Sequence, residues 1–227
     1  MSAKTLLKSL VKRSSRKAVV LSLFSLGSFT ITSPSFAASV NLSSGGSRGD
    51  VSVVGGQTTL TNATVGGGDD GGTNYNVSGN NPVVLPFQLE TFLGVAPGTL
   101  GTDAAEGSAI RTILPNVSAG DVLSFNSNFS IFDNFNTDRA FVTIVNSMNN
   151  LVIPLTTGSS TFSYTFSSAD TYTVGVGVID VNDDIGSSRL QVSNANLQPV
   201  PEPLTILGSL SALGFGLGMR RRFRKKA

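Results

Sequence analysis

The chain has 227 residues, with 16 lysine and arginine residues against 14 aspartate and glutamate residues, and it contains neither histidine nor cysteine. Without histidine there is no imidazole base, and without cysteine there are no disulfides, thiolate nucleophiles or cysteine-bound metal centres. Ser-His-Asp and Cys-His catalysis are therefore excluded.

The basic residues are concentrated at the two ends of the chain. Residues 1–37 carry six of them, and residues 220–226 carry six more. Residues 38–199 carry only four, all arginine, against thirteen acidic residues, which gives this body a net charge of −9. Because the body has no basic footprint, we expect no nucleic-acid partner.

The first 37 residues are predicted to be a secretory signal peptide. Basic residues end at Lys17, an apolar stretch follows over 18–31, and small residues lead to Ala37. This order predicts export through the Sec machinery, with cleavage between Ala37 and Ala38. A retained anchor helix is the alternative, but fourteen apolar residues are short for a membrane span.

The body, residues 38–199, is predicted to be all-β, an antiparallel β-sandwich or jelly roll. Apolar and polar residues alternate with a period of two, as where Phe162, Tyr164 and Phe166 alternate with threonine and serine. Turn-forming residues separate the runs. The predicted strands lie at 51–54, 58–65, 83–89, 110–114, 123–131, 140–145, 151–155, 161–166, 172–178 and 190–192.

Two glycine-bearing segments are predicted to have special roles. Gly175 and Gly177 indicate a strand that curves or admits a close backbone approach. Residues 66–82 are glycine-rich and polar, which predicts a long surface loop, with a disordered linker as the alternative.

Calcium is the one cofactor that the sequence suggests. Asp180, Asn182, Asp183 and Asp184 place four oxygen-bearing side chains within five positions. Calcium takes six to eight oxygen ligands, and extracellular modules bind it weakly. A solvated acidic turn is the alternative, because Asp and Asn favour turns.

No catalytic residue is predicted. Glu90 and Glu106 are the only glutamates of the body, and a glycosidase needs two carboxyl groups about 5–10 Å apart. Solvated loop positions are the simpler interpretation of both residues. Phe125, Phe162 and Phe166 are expected in the core, which leaves Tyr75 as the freer aromatic for stacking on sugars.

Residues 200–227 form a tail with three parts. Val200, Pro201, Glu202 and Pro203 precede an uncharged stretch over 204–219, and a basic end over 220–226 begins with Arg220, Arg221 and Arg222. The uncharged stretch predicts one transmembrane helix of about 24 Å, which snorkelling arginines extend toward a roughly 30 Å hydrocarbon core. The basic end marks the cytoplasmic side and places the body outside.

This tail resembles the PEP-CTERM sorting domain of Gram-negative bacteria, which has also been labelled the C-terminal domain of ice-binding proteins. The resemblance implies that the inner membrane holds the precursor transiently and that an exosortase cleaves near Pro201, Glu202 and Pro203. The body then reaches the cell surface or the extracellular exopolysaccharide (biofilm) matrix. An ordinary C-terminal anchor is the alternative.

The body resembles a group of secreted, lectin-like β-sandwich proteins that carry this tail. The matching stretches are 89–95, 106–113, 119–126, 137–142, 172–183 and 189–197, and the group often has Asp where this chain has Ser193. We therefore expect an exported, non-enzymatic surface or matrix protein that binds polysaccharide or is a structural part of the matrix. The alternatives are a carboxylate-dependent envelope enzyme acting on polysaccharide and an ice-binding surface.

Overall fold

The computed structural model describes residues 36–63, 76–79, 82–132, 137–182, 184 and 186–200. Within them, eleven strands form two antiparallel sheets, which confirms the predicted β-sandwich. Sheet I contains β1 (Ala38–Ser39), β3 (Asp50–Val54), β4 (Gln57–Thr61), β6 (Val122–Ile131), β9 (Gly158–Thr165) and β11 (Ser188–Gln198). Sheet II contains β2 (Ser47–Arg48), β5 (Ala104–Val117), β7 (Arg139–Val145), β8 (Asn150–Leu155) and β10 (Asp170–Val181).

Each sheet is built around one long strand. In sheet I the order is β3-β4-β11-β6-β9, and β1 pairs with β11 beyond the residues that β4 contacts. In sheet II the order is β2-β5-β10-β7-β8. The central strands β11 and β10 therefore fix the register of their neighbours, and with it the side chains that share a face.

The main core lies between the two sheets. Phe125 of β6 stacks on Phe162 of β9 with ring centroids 4.8 Å apart, and Phe166 is fully buried, so their predicted core positions are confirmed. From sheet II, the alternating residues Val174, Val176 and Val178 of β10 point into the same cluster. Burial of such side chains stabilises the fold by roughly 1.5–3 kcal/mol each.

One predicted strand is wrong. Residues 83–89 instead contain an isolated bridge at Val84 and the beginning of helix α1 (Pro86–Leu93). Proline suits the first helical turn because its missing N–H has no partner there. The Leu85 N–H donates to the Gln88 side chain at 3.1 Å, and Gly94 ends the helix with φ of 76°. The all-β prediction is corrected by this one short helix.

Helix α1 forms a second core on the outer face of sheet II. Its buried residues Leu89, Phe92 and Leu93 follow helical i, i+3, i+4 spacing, and they pack in one cluster with Ala109, Phe141, Ile179 and Val181. The outer face of sheet I, in contrast, carries exposed polar side chains such as Asn126 and Thr161.

Several predictions concern segments outside the described residues: the signal peptide up to residue 35, the last two positions of the strand predicted at 58–65, loop positions 66–75, 80 and 81 with Tyr75, and the tail from Pro201 onward with its transmembrane helix. Among the described residues, the structure contains no helix with the length and hydrophobicity that a membrane span requires.

Candidate functional site

A polar groove crosses the outer face of sheet I. In β6 the residues Leu123, Phe125 and Phe129 face the core, so Ser124, Asn126 and Asn128 on the alternate positions face outward. The groove has a volume of about 570 Å³. Nine residues from four strands and their ends line it: Gln57, Asn126, Ser127, Asn128, Ser159, Ser160, Thr161, Gln191 and Ser193.

Strand register brings these residues together from distant parts of the chain. Asn126 lies opposite Thr161 on one side and Ser193 on the other, and Asn128 lies opposite Ser159 and Gln191. Directly opposed side chains on one face of a sheet have Cβ atoms about 4.5–5.5 Å apart. The groove is therefore a close array of amide and hydroxyl groups.

Two of the side-chain hydrogen bonds across the groove are long, whereas the hydroxyls of Ser127 and Ser160 share one of 2.9 Å. The Thr161 hydroxyl donates to Asn126 Oδ1 at 3.3 Å, and Gln191 Nε2 donates to Gln57 Oε1 at 3.4 Å. Bonds of this length are weak, so a ligand can exchange them for shorter ones at little cost.

None of the nine lining residues is charged or aromatic. Amides and hydroxyls both donate and accept hydrogen bonds without changing protonation near neutral pH. The lining is chemically complementary to hydroxyl groups, and none of its nine residues is suited to general acid–base catalysis.

The shifted pKa values of described residues belong to other parts of the molecule. The pKa of Asp103 is lowered by its hydrogen bond with Arg139, and the pKa of Asp170 is lowered mainly by the Thr171 backbone N–H. Burial raises the pKa of Tyr164. None of these groups lines the groove.

The predicted calcium ligands differ in their surroundings. Asp180 is 1% exposed, whereas Asn182 and Asp184 are exposed and Asp183 lies outside the described residues.

A second buried carboxylate lies next to Asp180. Because Ile179 pairs with Arg139, the next position places Asp180 beside Asp138, which is also buried. The structure thus associates Asp180 with Asp138, which accepts hydrogen bonds from Asn62 and Ser188. Among described residues no group of three or more acidic side chains is placed to hold a metal ion, and calcium binding stays a prediction.

The two glutamates are not both solvated loop residues. Glu90 lies within α1, is 4% exposed, and accepts a hydrogen bond from the Leu100 N–H at 3.0 Å. Glu106 is half-buried in β5. The interpretation of both residues as solvated loop positions is wrong, because Glu90 is buried in a helix and Glu106 is half-buried in a strand. The Glu90 carboxylate ties the segment after α1 to the helix.

The ends of the body are partly described. Ala37 and Ala38 are exposed, and Ala38 pairs with Leu197 in sheet I. The Val200 N–H donates to Asp121 Oδ1 at 3.1 Å. The other sorting residues, from Pro201 to Arg222, lie outside the described residues.

Sequence reasoning found part of the groove. The period-two pattern indicated that Asn126, Asn128 and Thr161 share polar strand faces. It missed Gln57 and Gln191, since their contribution depends on the pairing of β4 with β11, and the two residues are 134 positions apart in sequence. The only usable signal was their polar character within strand-like sequence.

No family model matches the chain, and no curated protein matches it. Solved structures with some similarity include TmCBM61 in complex with β-1,4-galactotriose, at 10% identity over 43% of this chain and 66% of that chain, with a TM-score of 0.33. A CBM4 structure has 13% identity over 77% of this chain and 83% of that chain, with a TM-score of 0.34.

A family two carbohydrate esterase from Cellvibrio japonicus has 12% identity over 74% of this chain, with a TM-score of 0.35, and the match spans only 36% of that chain. The chain therefore spans about two thirds of the TmCBM61 chain and about one third of the esterase. All three TM-scores are below 0.5, so these similarities carry no functional conclusion for this chain.

Proposed function

We propose that this chain is an exported, non-enzymatic protein of the cell surface or exopolysaccharide matrix, and that it binds neutral glycans in the groove of sheet I. The observation that carries the binding proposal is the composition of the groove, in which all nine lining residues are uncharged amides or hydroxyls. Sugar hydroxyls donate and accept hydrogen bonds in the same way, so they match this lining chemically.

The position of the groove supports the proposal. Asn126, Asn128 and Gln191 are held by paired strands of sheet I, so their directions are fixed before a ligand arrives. A pre-formed site loses less conformational entropy on binding than a flexible one. Export is supported by the sequence patterns at residues 1–37 and 200–227.

Glycan binding is tested with the purified full-length chain on an array of neutral polysaccharides, followed by calorimetry on the best ligand. We expect Asn126→Ala and Gln191→Ala each to weaken binding about tenfold, which corresponds to about 1.4 kcal/mol for lost hydrogen bonds. Ser163→Ala is the matched control, because Ser163 lies on the same strand face without lining the groove. Unchanged affinity in both groove variants would refute the site.

The proposal that the chain is not an enzyme is tested with a separate hydrolysis assay. The same polysaccharides are incubated with the wild-type chain and with Glu90→Gln and Glu106→Gln, and released reducing ends are measured. We expect no turnover in any sample. Turnover by the wild type that either variant loses would establish a carboxylate-dependent enzyme instead.

Sorting is tested by mass spectrometry of the protein from cells with and without the exosortase. We expect a mature chain that begins at Ala38 and ends near Pro201, Glu202 or Pro203 in normal cells. A chain in normal cells that retains Arg220, Arg221 and Arg222 would contradict sorting by cleavage.

A further inference from the structure

Two arginines of this acidic body meet on one aromatic ring, away from the groove. The guanidinium carbon of Arg48 lies 5.0 Å from the ring centroid of Phe92, and that of Arg111 lies 4.6 Å from the same centroid. The two guanidinium groups are therefore no farther apart than the sum of these distances. Half of the four arginines in the body are gathered at this point.

Strand register explains why they meet. Arg48 of β2 lies opposite Ala109 of β5, and Arg111 is two positions farther along β5 on the same face. Ala109 belongs to the cluster beneath α1, so this face is the outer face of sheet II. Diagonal neighbours of this kind lie within reach of long side chains.

Arg111 is held rigidly. Its Nε donates to the Gly45 carbonyl at 3.2 Å, and its Nη1 donates to the Phe92 carbonyl at the C-terminal end of α1. A Cβ at position 45 would stand 2.9 Å from the Arg111 carbonyl oxygen, so only glycine permits this close approach. The guanidinium is pre-organised, and its Nη2 donates no hydrogen bond within the described residues.

Arg48 is exposed and much less engaged. Its Nη1 donates only to the neighbouring Ser47 carbonyl at 2.9 Å. Among the described residues neither Arg48 nor Arg111 has a carboxylate partner, whereas Arg139 pairs with Asp103 at 2.7 Å. Two cations over one ring repel each other, and an anion bound between them would offset that repulsion.

We propose that Arg48 and Arg111 form a binding site for the carboxylate group of an acidic saccharide, such as a uronic acid residue in a polysaccharide. Guanidinium groups pair with carboxylates through two parallel N–H···O bonds. Ile113, 54% exposed and next along the same face of β5, offers an apolar contact for the C–H side of a sugar ring.

The charge of the body favours this ligand over a densely charged polymer. A body with a net charge of −9 repels nucleic acid or a heavily sulfated chain. A polymer that carries mostly hydroxyl groups and few carboxylates is attracted locally by the arginine pair and meets little long-range repulsion from the acidic body. This site is separate from the groove of sheet I, and either can exist without the other.

The test uses calorimetry on the full-length chain with trigalacturonate, and with its fully methyl-esterified form as the uncharged counterpart. We expect Arg48→Gln to weaken trigalacturonate binding about tenfold, and Arg48→Lys to weaken it several-fold because the planar fork is lost. Arg48 is exposed, so these variants leave the fold intact. Arg189→Gln is the matched control, since Arg189 also stacks on an aromatic ring, at 5.4 Å from Phe132.

Each remaining outcome decides the question. Wild-type affinity in Arg48→Gln would overturn the site, and so would equal binding of the methyl ester. If Arg189→Gln weakens trigalacturonate binding as much as Arg48→Gln does, the effect comes from the net charge of the body, and the site is overturned. If inorganic sulfate binds as tightly as trigalacturonate, the arginines form a general oxyanion site, and the proposal of a saccharide ligand is overturned. Loss of neutral-glycan binding in Asn126→Ala with trigalacturonate binding retained would separate this site from the groove.

Discussion

Gly175 of β10 lies directly beneath Leu93 of α1. A Cβ atom at position 175 would overlap Leu93 Cδ2 and the Thr143 hydroxyl, and Leu93 is fully buried. The helix can approach sheet II this closely only because residue 175 has no side chain. This contact fixes α1, and with it the ring of Phe92 on which the two arginines stack.

Gly175→Ala is expected to lower the free energy of unfolding by about 1–3 kcal/mol, as overpacking of a filled core does. Urea unfolding measures the change. In the Leu93→Ala background the added methyl group enters the space that the leucine leaves. Gly175→Ala should then lower the free energy of unfolding by less than it does in the wild type. Equal losses in both backgrounds would contradict the contact.

The close approach at Gly175 was predictable from the sequence, but the approaching element was not. Glycine within an apolar strand indicates that something lies against it, and the structure shows that this is a helix rather than another strand. Eight residues, Pro86–Leu93, are too few to establish a helical period within a longer apolar run. Pro86 and Gly94 marked the ends of the helix, and their spacing was the unused signal.

The candidate site was predictable only as far as single strands allow. Alternation indicated which side of β6 and β9 is polar, because the period-two rule is local. The pairing of β11 with both β4 and β6 is a tertiary choice, and it decides that Gln57 and Gln191 join Asn128 at the groove. The same holds for Arg48 and Arg111, which are separated in sequence and joined by the register of β2 on β5.

Asp50 is expected to hold residues 76–79 to sheet I. It is fully buried, and its carboxylate accepts hydrogen bonds from the Thr61 hydroxyl and from the N–H groups of Val77 and Ser78, the latter two at 2.7 and 2.8 Å. In Asp50→Asn the side-chain NH2 group points at groups that are themselves hydrogen-bond donors. The substitution should therefore lower the free energy of unfolding by about 2–3 kcal/mol. Asp184→Asn, at an exposed position, is the control.

Hydrogen exchange gives a local measurement of the same contact. The amides of Val77 and Ser78 should be protected in the wild type and should exchange faster in Asp50→Asn than the loss of global stability alone accounts for. Equal acceleration of these amides and of core amides in β10 would show that Asp50 has no specific hold on this segment.

Asp170 is expected to titrate below its ordinary pKa of 3.8. The Thr171 backbone N–H is the main cause and the Ser147 hydroxyl the second, donating to the carboxylate at 2.7 and 2.9 Å. Because the folded pKa is lowered, the stabilisation is complete above 3.8 and is lost as the pH falls through the lower, folded value. Ser147→Ala should move the pKa of Asp170 upward, part of the way toward 3.8.

Carboxyl NMR titration measures this shift. Asp103 serves as the internal control, since its pKa is lowered by Arg139 and should not respond to Ser147→Ala. A pKa of Asp170 that is the same in both proteins would show that the serine hydroxyl contributes nothing.

Calcium binding at the turn after β10 is tested by thermal unfolding in calcium and in chelator. For a dissociation constant near 1 mM, 10 mM calcium should stabilise the fold by about 1.4 kcal/mol. Asp184→Asn, which changes an exposed predicted ligand, should reduce the shift, whereas Asp180→Asn also alters the buried surroundings of Asp138. No shift in the melting temperature at 10 mM calcium would rule out a stabilising site there.

Substitution by valine at two buried threonines should change the free energy of unfolding in opposite directions. Thr143 is fully buried beneath α1, and its hydroxyl has no hydrogen-bond partner among the described residues. Thr143→Val keeps the shape and removes an unsatisfied polar group, so it should stabilise the fold by about 1 kcal/mol.

Thr112, 2% exposed, instead shares a 2.7 Å hydrogen bond with the Ser44 hydroxyl. Thr112→Val leaves Ser44 without that bond and should destabilise the fold by about 1 kcal/mol. Both variants make the same chemical change in sheet II, so a general effect of β-propensity or hydrophobicity would move them in the same direction. Urea midpoints that shift with the same sign would therefore contradict the hydrogen-bond assignment, and opposite signs would support it.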